Sequence, residues 1–197
     1  VYMDTIYLTD DSFIELLNTI TKKSKRPLLI AIDGRCTSGK STLASKLSEQ
    51  MNASIFHMDD FFLRIEQRTP ERYKEPGGNV DRERIIEVIH EYLEHKSISY
   101  APFNCRLNKL DSVKNIAYKD ILIVEGSYSM HRELIDFYDY KIFMTVPYDT
   151  QIERIRKRNG EKMLNMFIDK WIPLEEKYFK AFKVEEEADI VFDTSKE

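Results

Sequence analysis

Residues 34–41 read Gly-Arg-Cys-Thr-Ser-Gly-Lys-Ser, a complete G-x-x-x-x-G-K-[ST] loop. The apolar run Leu28-Leu29-Ile30-Ala31-Ile32 precedes it, and the helix-compatible run Thr42-Leu43-Ala44-Ser45-Lys46-Leu47 follows it. Such a loop works only when a buried strand delivers the chain into it and a helix carries the chain away. These few residues therefore prescribe a strand–loop–helix unit. Backbone N–H groups of Gly34, Arg35, Cys36, Thr37, Ser38, Gly39, Lys40, Ser41 and Thr42 are then expected to surround phosphate oxygens, with the positive end of the helix dipole facing the anion. Lys40 would reach the outer phosphates, and the Ser41 hydroxyl would ligate Mg²⁺. The expectation is a nucleoside triphosphate site.

The rest of the chain suits that unit. Its 197 residues, 42% apolar and 32% charged, are expected to form one domain spanning 1–197. A net charge of −4 gives no basic field for nucleic acid, and no apolar run is long enough to suggest a membrane span. Nothing resembles a secretory signal, so a cytoplasmic location is expected. Two cysteines, Cys36 and Cys105, make neither a disulfide framework nor a metal-ligand pattern. The amide dipoles of the loop could lower the Cys36 thiol pKa, although the plainer reading of Cys36 is a small residue tolerated at a variable loop position.

Apolar runs at 28–32, 54–57, 121–124, 141–146 and 190–192 read as buried strands. Amphipathic stretches at about 40–51, 81–95, 130–137 and 149–158 separate them. That alternation implies an α/β three-layer sandwich around a mostly parallel five-stranded sheet. An N-terminal extension, 1–26, holds a further helix at about 12–23, and its basic cluster Lys22-Lys23-Ser24-Lys25-Arg26 reads as a solvated helix end. Residues 59–80 and 98–118 have no regular period and read as long loops. The first of these follows a strand directly, so it lies at the carboxyl edge of the sheet, where ligands bind in such folds.

Three further patterns carry chemistry. Asp59 and Asp60 end a strand, where a carboxylate beside bound phosphates can orient and deprotonate a hydroxyl; an equally good local reading is a turn cap. His57 beside them reads as a packed strand residue. The strand Ile121-Leu122-Ile123-Val124 ends in Glu125, a Walker-B-like position serving Mg²⁺ directly or through water. Arg154 and Arg158 are four apart on one helix face and could form a lid over the phosphates, or simply a solvated face.

Together these elements resemble the uridine kinase-like branch of P-loop kinases, relatives of phosphoribulokinase, bacterial pantothenate kinase and nicotinamide riboside kinase. The resemblance is carried by Ile32 through Thr42, Met58-Asp59-Asp60-Phe61-Phe62, Pro76-Gly77-Gly78-Asn79-Val80-Asp81, Val124-Glu125-Gly126 and Trp171-Ile172-Pro173-Leu174-Glu175-Glu176-Lys177-Tyr178. It implies ATP as phosphoryl donor, Mg²⁺, a small-molecule acceptor, and Asp59 instead of Asp60 as the base. It places Asp59, Phe62, Asp81, Phe103, Asn104 and Arg106 at the acceptor, and Ser41, Glu125 and Asp59 near the metal; Asp81 could equally cap a helix over residues 82–95. Lys40, Arg154 and Arg158 would act on the transferring group, in a lid of about residues 154–170. A homo-oligomer is compatible with it.

The acceptor loop departs from uridine kinases. Phe103-Asn104 stands where they carry Tyr-Asp, and no His occurs between His95 and His131. The acceptor is therefore open: a nucleoside first, with nicotinamide riboside, pantothenate or a pentose derivative as alternatives. A different class, a GTPase switch, is suggested by Asn108-Lys109-Leu110-Asp111, an N-K-x-D pattern. That pattern normally follows a buried strand, and the expected D-x-x-G is missing, with Glu125-Gly126 in its place.

Overall fold

The longest apolar run of the chain becomes the middle of the sheet. In the computed structural model, which describes residues 5–196, all seven residues of the P-loop strand are buried. A parallel strand covered on both faces needs no polar alternation, so the run is continuously apolar. In chain order the strands are β1 (Ile6–Tyr7), β2 (Leu28–Gly34), β3 (Ser54–His57), β4 (Ile98–Tyr100), β5 (Phe103–Asn104), β6 (Lys109–Leu110), β7 (Lys114–Ile116), β8 (Ile121–Glu125), β9 (Tyr140–Thr145) and β10 (Ile190–Asp193).

Six of them form one parallel sheet in the order β1-β10-β9-β2-β8-β3. The five strands expected from the sequence are all present. The sixth, β1, is only two residues long, Ile6 and Tyr7, both exposed; it is held to the edge of β10 by backbone pairing, continued by Leu8 N–H to Asp193 O at 3.0 Å.

The helices are α1 (Asp10–Thr21), α2 (Lys40–Met51), α3 (Pro70–Lys74), α4 (Arg82–Leu93), α5 (Tyr148–Met166), α6 (Ile172–Phe182) and α7 (Val184–Glu187). Successive residues of a strand point to opposite faces, and β2 divides its side chains accordingly. Leu28, Ile30 and Ile32 join Leu16 and Ile20 of α1 and Leu43 and Leu47 of α2. Leu29 and Ala31 join Ile85, Ile89 and Tyr92 of α4 and Phe179 of α6. Helices cover both faces, as expected. None of the described helices is long and apolar enough to cross a membrane.

Four stretches differ from their sequence pattern. Residues 130–137 form no helix; they make turns and one 3₁₀ turn, Ile135–Phe137. Their start is pulled onto β2, because the Asp33 carboxylate accepts the N–H groups of Tyr128 and Met130. The loop at 59–80 holds 3₁₀ turns and α3, and the loop at 98–118 folds into two short antiparallel pairs, β4 with β7 and β5 with β6. The helix expected at 149–158 runs on as α5, breaks at Gly160 (φ 78°, ψ 167°), and continues through a π-helical turn at Phe167–Trp171 into α6.

Candidate active site

The P-loop takes its shape from close backbone contacts. A Cβ on Gly34 would lie 2.0 Å from Met144 O of β9, so only glycine fits where β2 ends. Gly39, at φ 90°, turns the chain into α2, whose first residue is Lys40. Lys40 Nζ donates to the carbonyls of Gly34 (2.9 Å) and Arg35 (2.8 Å), which holds the ammonium over the loop. Cys36, Thr37, Gly39, Lys40, Ser41 and Thr42 line a cavity of about 770 Å³. Gly34, Arg35 and Ser38 lie behind its lining. Arg35 turns away to Glu176 (2.7 Å) and Thr145 Oγ1 (2.8 Å), bracing the loop against α6 and β9.

Strand register brings the acids to this loop. Glu125 is the register partner of Ile32 on one side and of His57 on the other. Its buried carboxylate receives the Ser41 hydroxyl at 3.3 Å from both oxygens, and one oxygen is hydrogen-bonded to His57 Nδ1. That bond raises the His57 pKa, so His57 supports Glu125 and is more than a packing residue.

Asp59 and Asp60 divide by direction. Asp60 accepts Tyr100 OH (2.7 Å) and Lys114 Nζ (2.9 Å), anchoring the turn to β4 and β7. Asp59 opens into the cavity. Its carboxyl is accessible from the mouth yet walled by protein; burial and the nearby Glu125 push its pKa up, while Lys40 and His57 oppose the shift. Ser41, Glu125 and Asp59 are hard oxygen donors on one wall. Among the described residues no group of three His, Cys, Asp or Glu forms a metal cage. Oxygen donors of this kind, with Ser41 Oγ 3.3 Å from both Glu125 oxygens, suit an Mg²⁺ that also keeps water and nucleotide oxygens, as this ion ordinarily does.

Both expected lid arginines line the cavity. Arg154 donates to Thr37 O (3.1 Å) and Thr194 O (2.6 Å), and Arg158 approaches Cys36 Sγ at 3.5 Å. The expectation for Cys36 is reversed: burial and the Glu175 carboxylate push its thiol pKa up, against the pull of Lys40 and Arg158.

The residues expected at the acceptor are placed differently from one another. Phe62 lines the cavity, whereas Asp81, Phe103, Asn104 and Arg106 do not. Asp81 is fully buried, caps α4 through Arg84 N–H (3.3 Å) and faces Arg64 Nε at 3.4 Å. Phe103 is buried beneath Arg68, and Asn104 is spent on its own turn, bonding Asp111, Arg106 N–H and Leu107 N–H. Arg106 is exposed on that turn. Asn79, two residues before Asp81, lines the cavity instead, as do Cys105 and Asn108. Sequence patterns also missed Glu175, buried on α6, which accepts Cys36 N–H (3.0 Å) and Ser127 OH (2.6 Å). The resemblance at 171–178 included Glu175 without showing that it reaches the P-loop. The N-K-x-D pattern lies on the antiparallel β5–β6 pair, its Asp111 exposed and bound to Asn104, not after a buried parallel strand.

A parallel sheet with a P-loop at its centre and acids at its carboxyl edge defines a P-loop kinase fold. Residues 30–170 match the AAA domain family model AAA_18, and the chain belongs to that family. It is similar to the uridine kinase of Clostridium tetani, 25% identical over 177 residues, covering 81% of this chain and 84% of that one. The uridine kinase of Halalkalibacterium halodurans is 28% identical over 140 residues, 66% of each chain. A solved structure of a possible uridine kinase from Bacillus stearothermophilus shares the fold at a TM-score of 0.72, with 22% identity over 93% of this chain and 98% of that one.

Proposed function

We propose that this chain transfers the γ-phosphoryl group of ATP to a primary hydroxyl of a small molecule, with a nucleoside as the first candidate. The observation that carries the reading is the division of the acidic pair: Asp60 is held by Tyr100 and Lys114, while Asp59 opens into the cavity that Lys40 and Ser41 also line. ATP would lie on the P-loop amides, with its terminal phosphate toward Asp59. Asp59 takes the proton of the acceptor hydroxyl as that oxygen attacks the γ-phosphorus, and the bond to the ADP oxygen breaks. Lys40, Arg154 and Arg158 stabilise charge spread over the transferring group. Mg²⁺ held by Ser41 and Glu125, with Asp59 nearby, would neutralise phosphate charge and fix its geometry.

Support for a nucleoside comes from the relatives named uridine kinase. A second reading, another hydroxyl acceptor, is favoured by the cavity itself, because Phe103 and Asn104 stand outside it and Cys105 and Asn108 face it. Screening ADP release from Mg·ATP against uridine, cytidine, nicotinamide riboside, pantothenate and pentoses tests both. In Asp59→Asn, turnover is expected to fall by roughly 10²–10⁴-fold with ATP affinity nearly unchanged. Near-wild-type turnover in that variant overturns the base assignment.

A further inference from the structure

The cations lining the cavity fall into two groups. Lys40, Arg154 and Arg158 are all engaged at the P-loop. Arg68 and Lys170 are not, and neither has a carboxylate partner among the described residues. The contrast on the 59–80 loop is local. Arg64, four residues before Arg68, faces Asp81 and Glu66, and Arg72, four residues after, is paired with Glu83 at 2.6 Å. Arg68 is nevertheless held in place: its Nε donates to Leu63 O at 3.0 Å, and its guanidinium lies over the Phe103 ring at 5.3 Å. Its two terminal amino groups are left without an acid. Lys170 projects from the π-helical turn, with Nζ 4.7 Å from the centre of the Trp171 ring and 6.0 Å from that of Tyr73.

Both cations line the same cavity as Asp59, Phe62 and Tyr73, and Lys170 Nζ lies 6.0 Å from the centre of the Tyr73 ring. We propose that the acceptor carries, besides its hydroxyl, an anionic group, a carboxylate or phosphate monoester, received by Arg68 and Lys170. This rests on the kinase reading of the same cavity. A guanidinium anchored through Nε presents the fork that binds two oxygens of a carboxylate or phosphate. Lys170 adds a mobile point charge, and the concave wall concentrates the field of both.

The test has two arms. With Mg²⁺ and a non-hydrolysable ATP analogue filling the donor site, inorganic phosphate is titrated while the emission of Trp171, the single tryptophan, is followed. A saturable change is expected, its midpoint rising about tenfold in Arg68→Gln and in Lys170→Gln, the equivalent of one charge-assisted hydrogen bond. No saturable change, or one unaltered in both variants, overturns the anion site. In the second arm, ADP release is compared for pantothenate against pantothenyl alcohol and for uridine 3′-phosphate against uridine. The anionic member of a pair should have the higher kcat/KM, and Arg68→Gln should erase the difference with KM for ATP unchanged. Equal kcat/KM for the anionic and the neutral member of each pair, in wild type and Arg68→Gln alike, removes the anionic group and leaves the kinase standing. A rise confined to the KM for ATP assigns both cations to the donor and overturns the proposal. Absence of ADP release with every acceptor, beside a normal phosphate titration, removes the kinase reading and keeps the anion site.

Discussion

His131 shows how burial ties stability to pH. Its ring lies parallel to Tyr178 and edge-on to Phe182, and Nδ1 accepts the N–H of Glu133 at 3.2 Å. Burial, with a smaller push from Arg82, brings its pKa down from 6.5 to about 4. Above the unfolded value both states hold a neutral ring, so the contribution is complete there. As pH falls through 6.5 toward 4 the unfolded chain takes up a proton that the folded ring refuses, and stability is lost. The loss approaches roughly 3 kcal/mol across that window. Urea unfolding at pH 7 and pH 5 should therefore show a steeper decline for wild type than for His131→Gln. Equal declines would remove His131 as the cause. Residue-scale contacts also explain what could not be read in advance. Asn79 and Asp81 are two apart on one short run; the sequence allowed Asp81 to cap a helix, but it did not show that the capping carboxylate is fully buried while Asn79 lines the cavity.

At the scale of elements, the path from α5 to α6 forms one wall of the cavity. Gly160 breaks it with a backbone conformation that is nearly glycine's alone, and an added Cβ would meet nothing within 4 Å. A substitution there changes backbone energy with no clash to confuse the result. Gly160→Ala should cost about 1–3 kcal/mol where the break is kept. Otherwise α5 straightens and carries Phe167, Lys170 and Trp171 off the cavity. Trp171 emission together with KM for ATP distinguishes these results, and an unchanged melting temperature, emission and KM would show the break to be unimportant. The P-loop unit and the five longer strands were legible because backbone contact demands Gly34 and double coverage demands continuous apolar runs. The 98–118 hairpins were not: β5 and β6 have two residues each and make pairings that no periodicity announces.

For the whole molecule, the N-terminal extension is part of the core. Leu16 and Ile20 of α1 are 1% and 0% exposed, packed on the face of the sheet that α2 also covers. Ile20→Ala should destabilise the fold by about 2–5 kcal/mol, seen as a lower urea midpoint, while the folded fraction keeps its turnover. A midpoint matching wild type would mean that α1 rests on the domain without supporting it. The extension also finishes the sheet at its β10 side, leaving the two-residue β1 as one outer strand and the four-residue β3 as the other. Exposed strand edges are templates for the strands of neighbouring molecules, and the hazard grows with their length. By laying β1 along Phe192 and Asp193, the chain takes up half of the four-residue row of N–H and C=O groups that β10 would otherwise offer a second copy, where edge-to-edge aggregation would begin.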